Sequence, residues 1–429
     1  MKMRKLIAAV ALCATAGAAS AADPLDDRMA ALEGQIRTLR TELDACKDEA
    51  RQAGKTRPAI DQVLADAKAR SEPFGGAVGY KDGLNIVASP EFKLKLNALF
   101  IPRYVYNHNR TTTDDRDETG FTVRRAELYL TGTAFSPDLF YQFSGGFDRA
   151  DGDFSLITAY AGYKLSDQWQ IRGGTFKAPF MVEELTAAGR QQAAERSLVN
   201  GMFSVGHTEG VQVEYAKGDI RAAAMFHDGT NGLNTDFPAD NTDWAFAARA
   251  EVKLAGDWAQ FADFEGWSDA KPAVRLGAAI DYESGERGTV ADVPDVLKYT
   301  ADVTVKGAGW NVFAAAAGRH ADTAAANVDQ YGFLAQGGVF LIPNRLELFA
   351  RYEHIRLDGV FSAAAPAIDD QLNIVTVGYN WFFFAHNAKL TLDVAYVADA
   401  VPAAVTSVGL LPSQDGAQTV IRAQFSLFF

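Results

Sequence analysis

Basic side chains at every second position of an extended segment could line a wet passage and hold anions by charge. Lys93, Lys95, Arg103, Arg125, Arg172, Arg221, Arg249, Lys253, Arg275, Arg351 and Arg422 fall on such alternates. Rings of charge at close quarters set which ions pass. The same face carries fewer acids: Glu127, Glu214, Glu251, Asp281, Asp302, Glu347 and Asp393. The balance leans slightly toward anions. An arginine on this wall can equally be held by a neighbouring carboxylate, and Arg249 with Glu251 and Arg351 with Glu347 fit that plainer role. Catalytic chemistry has no comparable pattern, since no HExxH, GxSxG, Walker loop or paired His/Cys cluster occurs. His108, His207, His227, His320, His354 and His386 are scattered. The acidic run Asp114 to Glu118 offers oxygens of the kind calcium binds, but a solvated loop is the simpler reading. The expectation is a protein with no enzyme activity, no cofactor and no metal site.

The elements that must position these side chains are strands. From Phe92 to Phe100 large apolar residues alternate with mostly polar ones, so one face meets lipid or core and the other meets water. The pattern recurs in sixteen segments, beginning near Phe92, Phe121, Leu139, Phe154, Trp169, Gly210, Asp219, Trp244, Val274, Tyr299, Trp310, Tyr331, Leu346, Gln371, Lys389 and Gln418. Short connections (Ser136–Asp138, Ser166–Gln168, Lys217–Gly218, Lys306–Gly309, Pro343–Asn344 and Ala385–Asn387) alternate with long polar ones such as 107–120, 228–243, 284–298 and 358–370. An even strand number and segregated loop lengths are features of outer-membrane barrels. Aromatics such as Tyr104, Phe135, Trp169, Trp244, Trp310, Tyr331 and Phe383 sit near segment ends, where interfacial girdles form. Thr419, Ile421, Ala423, Phe425, Leu427 and Phe429 point one way and Val420, Arg422, Gln424 and Ser426 the other. A terminal aromatic on such a strand looks like the signal read by the barrel-assembly machinery.

Residues 1–21 read as an export signal: Lys2, Arg4 and Lys5, a short apolar run from Leu6 to Ala16, then Ala19-Ser20-Ala21. Without them, 38 basic residues face 54 acidic ones, a net charge of −16, which argues against a nucleic-acid partner. Cys46 alone remains, so no internal disulfide can form. After the signal no apolar run reaches the ~18 residues of a membrane-spanning helix, although 48% of the chain is hydrophobic. Residues 22–72 carry a heptad seam of Leu25, Met29, Leu32, Ile36, Leu39, Leu43 and Cys46. It predicts either a self-associating coiled coil or one amphipathic helix packed on the barrel. Residues 73–91, with Pro73 and Gly75-Gly76, read as a linker, and 92–429 as the barrel.

Several stretches resemble the phosphate-selective porin O and P family. They are Phe121 to Gly132 (FTVRRAELYLTG), Gly173 to Phe180 (GGTFKAPF), Glu183-Glu184-Leu185, Glu195-Arg196 and Gly210-Val211-Gln212. The resemblance implies a sixteen-stranded, homotrimeric outer-membrane porin of a Gram-negative bacterium, prefaced by a coiled coil. It would pass small anions, with phosphate or polyphosphate as the specialised case. It also implies that Lys177 to Glu209 fold into the pore, which makes Lys177, Arg190 and Arg196 candidate anion-binding residues, followed by Arg125 and Lys95. A general nutrient porin with little ion selectivity is the alternative. An envelope tether anchored by the barrel and an outer-membrane enzyme rank lower.

Overall fold

The computed structural model describes residues 77–80, 83–87, 89, 91–110, 115–149, 151–232, 242–285, 294–322, 327–357, 371–401, 409–411 and 417–429, with 34, 37, 38, 40 and 41. The chain divides into two units, 1–75 and 76–429. In the first, the described residues Gly34, Arg37, Thr38, Arg40 and Thr41 are helical. The Thr38 and Thr41 hydroxyls donate to the carbonyls four residues back, at 3.1 and 3.0 Å. The export signal and every residue of the heptad seam lie outside the described residues.

Among the described residues the second unit has eighteen strands. A hairpin of β1 (Ala77–Tyr80) and β2 (Leu84–Val87) precedes β3 (Lys93–Asn109), β4 (Arg116–Ala134), β5 (Ser136–Phe147), β6 (Phe154–Lys164), β7 (Trp169–Lys177) and β8 (His207–Lys217). Then come β9 (Ile220–His227), β10 (Thr242–Ala255), β11 (Ala273–Gly285), β12 (Asp295–Gly307) and β13 (Trp310–Asp322). The last five are β14 (Asn327–Ile342), β15 (Leu346–Arg356), β16 (Gln371–Phe384), β17 (Ala388–Val397) and β18 (Gln418–Phe428).

From β3 to β18 each strand pairs with the next, and β18 pairs back with β3, closing a sixteen-stranded antiparallel barrel. Closure removes every unpaired edge, the only way a sheet can cross lipid. Phe429 completes the seam by exchanging two hydrogen bonds with Ala98, at 2.7 and 3.0 Å. Below that point β3 runs on past β18, and β2 covers its exposed edge from Lys93 to Leu96. Part of the stretch expected as a linker is therefore a sheet hairpin.

All sixteen expected segments are strands. Those beginning at Phe154, Trp169, Trp310, Leu346, Gln371 and Gln418 start where the alternation starts. Others begin earlier: β4 at Arg116, β12 at Asp295 and β14 at Asn327. Ladder hydrogen bonds continue beyond the apolar band into water, so the hydrophobic pattern marks the membrane rather than the strand end. Along β15 the side chains of Glu347, Phe349, Arg351, Glu353 and Ile355 are buried inside while Leu348, Ala350 and Tyr352 face out. β18 buries Val420, Arg422, Gln424 and Ser426 inside, as the alternation requires. Phe135, Trp169, Trp310 and Phe383 are exposed at the short-turn end and Trp244 and Tyr331 toward the other.

Candidate functional site

Residues 178–206, between β7 and β8, fold into the lumen. Their backbone closes at the base where the Ala178 amide donates to the Gly206 carbonyl at 3.0 Å. Gly206 sits at φ +77, with the Asn231 side chain only 2.4 Å from where a Cβ would be, so glycine alone fits this corner without strain. Two short helices, α1 (Val182–Leu185) and α2 (Leu198–Phe203), give the loop its shape. Ser197 caps α2 by accepting from the Asn200 amide at 2.9 Å. Phe180, Met181, Leu198, Val199, Phe203 and Val205 are buried against Phe313, Leu334, Ile355, Leu372 and Ile374 of the far wall. This half of the lumen is a protein core.

Charge fixes the loop as firmly as apolar packing. Glu195 is paired at 2.5 Å with both Arg103 and Arg124. Arg103 also donates to the Ala194 carbonyl at 2.9 Å, and the Ala194 amide donates to Asp393 at 2.9 Å. Asp393 is held in turn by Arg422 at 2.7 Å. Arg351 donates to the Glu195 carbonyl at 2.9 Å and pairs with Glu353 at 2.8 Å. Arg249 reaches the Phe180 carbonyl at 2.8 Å while paired with Glu251 at 2.9 Å and Asp302 at 2.7 Å. Arg103, Arg249, Arg351 and Arg422 thus anchor the loop. The expected Arg249–Glu251 pair is present. Arg351 instead takes Glu353 and, at 3.6 Å, Glu183, because Glu347 is occupied by Gln192, Asn311 and Asn380.

Against the wall from β4 to β10 the lumen stays open. A cavity of about 510 Å³ at the constriction is lined by Arg125, Arg172, Lys177 and Arg196 and by only two acids, Glu127 and Glu184, for a formal charge of +2. Arg172 and Leu185 border a second cavity, of about 870 Å³, that opens toward the short-turn end. There Lys164, Arg172, Arg221 and Arg249 are matched by Asp138, Asp167, Glu214 and Glu251. Of these two cavities only the narrows is net positive, and there a drier passage strengthens every charge.

Each cation in the narrows has a carboxylate near it. Arg125 lies 2.6 Å from Glu127, Arg172 3.1 Å from Glu214, and Lys177 and Arg196 lie 3.2 and 3.4 Å from Glu184. Burial opposes ionisation of Glu184, but Lys177 and Arg196 outweigh it and hold the carboxyl at about 2. Arg103 and Arg124 likewise overcome burial and hold Glu195 well below the ordinary carboxylate range. The Arg172 guanidinium rests on the Phe176 and Tyr160 rings, 4.2 and 5.1 Å from their centroids, a geometry that stiffens a cation without neutralising it.

Of the residues expected to bind anions, Lys177, Arg125 and Arg196 share the constriction cavity. Arg190 is exposed on a 3₁₀ turn, Ala188–Arg190, and Lys95 is half-buried near the start of β3; neither lines the constriction cavity or the wider one below it. Arg124 was not among the expected inward residues, because strict alternation sends one of two adjacent arginines out. A bulge in β4, where Arg124 is left unpaired opposite the Ile101–Pro102 step of β3, lets Arg124 and Arg125 both turn inward. Pro102, which has no N–H to give a ladder, was the available signal.

A closed barrel of sixteen strands, narrowed from within by one long loop and lined by paired charges, defines a porin-type channel of the outer membrane. Residues 100–427 match the family described as phosphate-selective porin O and P, and the chain belongs to that family. It is an outer-membrane porin, a water-filled channel for small anions. Similar solved structures include an anion-selective porin from Comamonas acidovorans, at 13% identity and TM-score 0.54 over 79% of this chain and 100% of that one. The outer membrane channel DcaP of Acinetobacter baumannii matches at 12% identity and TM-score 0.52, over 78% and 97%. The trimer form of OmpT from Vibrio cholerae matches at 13% and 0.51, over 78% and 98%. No curated protein matches the chain in sequence.

Proposed function

We propose that Lys177, Arg196, Arg125 and Arg172 form the selectivity site, and that phosphate-class oxyanions are the preferred solutes. The observation that carries this reading is the local excess of cations in the narrows, four against two carboxylates, in a chain whose overall charge is −13. An oxyanion has several acceptors and matches guanidinium donors in pairs, whereas chloride offers a single round charge. The carboxylates keep each cation from binding too tightly, and conduction requires sites that release as well as hold.

The functional unit in this proposal is a homotrimer. The likeness to the trimer form of Vibrio cholerae OmpT supports it. A channel with little preference among anions is the second reading, favoured by the carboxylate beside every constriction cation. Single-channel recording in potassium chloride separates the two. Block of the chloride current by low concentrations of phosphate, weakened in Lys177→Ala and Arg196→Ala, is the expected result. A current indifferent to phosphate overturns the oxyanion preference and leaves the second reading.

A further inference from the structure

One connection at the short-turn end is not short. Residues 256–272 join β10 to β11 and run across that mouth as a strap. Asp257 opens it with a capping box on the 3₁₀ turn Trp258–Ala262. The Trp258 indole donates to the Gly218 carbonyl in the β8–β9 turn at 2.8 Å and stacks with Arg221 at 4.1 Å. Phe264 packs on Phe313 of β13, with ring centroids 5.0 Å apart. At Gly266 a Cβ would lie 1.9 Å from the Trp310 carbonyl oxygen, so only glycine allows so close a crossing. Trp267 then packs on Phe340, Phe382 and His386.

At the far end the strap delivers two carboxylates to one imidazole. His386, in the β16–β17 turn, has its Nε2 3.2 Å from Asp263 Oδ2 and 3.2 Å from Glu265 Oε2. A single N–H cannot serve two carboxylates well at that separation. In a tetrahedral site with metal–ligand distances of about 2.0–2.1 Å, ligand atoms stand roughly 3.2–3.5 Å apart; the imidazole nitrogen has that spacing to each carboxylate, and all three atoms lie within 4.8 Å of one another. The Glu265 side chain has no exposed surface, and its second oxygen, Oε1, is buried without a hydrogen-bond partner. The Lys306 ammonium lies 2.8 Å from Asp263 Oδ1 and donates to the Glu265 carbonyl at 3.0 Å. It offsets one carboxylate and shapes the strap, while Asp263 Oδ2 and Glu265 Oε2 also accept from the Trp267 indole and the Phe264 amide at 3.1 and 3.2 Å.

We propose that Asp263, Glu265 and His386 form a binding site for a divalent transition metal of the zinc class. One nitrogen and two carboxylate oxygens suit that class, and three protein ligands leave a fourth position for water. A metal there ties the strap to the β16–β17 turn. The inference is independent of which anion the channel prefers.

The test uses full-length protein without a histidine tag, stripped with a chelator and held in detergent at pH 7. Calorimetric titration with zinc chloride is expected to show one site per chain. Cobalt(II) is expected to give the strong visible band of a tetrahedral ion. His386→Ala and Glu265→Gln should each weaken zinc binding by at least about tenfold while leaving chloride conductance and heat-modifiable mobility intact. Wild-type protein with neither zinc heat nor a cobalt band overturns the proposal. So does a folded His386→Ala variant that binds zinc as the parent does, which would assign the ion to other histidines. If that variant does not fold, the doubly substituted Asp263→Asn/Glu265→Gln protein and the wild-type cobalt spectrum decide.

Discussion

From β11 through β18 and into β3, inward side chains meet the constriction loop, whereas the wall from β4 to β10 borders open lumen and reaches the loop through Arg124 and Arg249. The two walls share one strand pattern and similar residues, yet they behave as different materials. On the packed side Arg103, Arg351 and Arg422 are each held by loop or wall carboxylates and show little exposed surface. Removing one partner of such a pair leaves a buried charge uncompensated. On the open side Arg125, Arg172 and Lys177 keep side-chain exposures of 20–25%, enough to meet a passing ion. An inward arginine is thus an anchor or a selectivity element according to whether the loop lies in front of it.

The largest effect should come from cutting an anchor. Glu195→Ala strands Arg103 and Arg124 together, at a cost of about 3–5 kcal/mol. The loop should leave its seat, giving larger, noisier single-channel steps with weak ion preference; steps of wild-type size would dissolve the distinction between the two walls. Reversing the open side comes next. Lys177→Glu with Arg196→Glu takes the constriction from +2 to −2 by formal count, and the reversal potential in a salt gradient should change sign.

A subtler effect is set by Glu184. Its carboxyl is lowered from 4.5 to about 2, so its ionisation stabilises the seated loop above pH 4.5, and that contribution is lost as pH falls through about 2. Anion preference should therefore stay flat from pH 8 to about 4.5 as far as this group is concerned. Glu184→Gln should reproduce at pH 7 the stronger preference otherwise reached only in strong acid. A reversal potential that drifts near pH 4.5 in wild type but not in Glu184→Gln would show the carboxyl to be far less tightly held. The smallest effect belongs to exposed Arg190. Arg190→Ala should alter unfolding free energy by no more than about 0.5 kcal/mol and leave conductance nearly unchanged.

The barrel was legible because dyad alternation is forced by lipid on one side of every strand, and all sixteen strands could be found from it. What alternation could not show is which stretch of wall the loop would cover. Arg351 and Arg125 look alike in sequence, and only the fold of 178–206 separates their roles. Glu183, Glu184 and Glu195 stood in recognisable motifs, but nothing in their spacing said that each would meet a cation from a different strand. The strap at 256–272 was missed for another reason. Trp258, Phe261, Phe264 and Trp267 recur every third residue, the period of a 3₁₀ helix, but only Trp258–Ala262 adopts one, too short a run to read as an element.

The anchors of the constriction loop also impose an order on assembly. Glu195 meets Arg103, 92 residues away; its carbonyl takes Arg351 from 156 residues away, and the neighbouring Ala194 amide takes Asp393 from 199. No fragment shorter than 103–393 contains all three contacts, and contacts so distant along the sequence form late. The seam that shuts the barrel pairs residues still further apart, Asn109 with Gln418, so by the same rule the filter is seated no later than the wall closes.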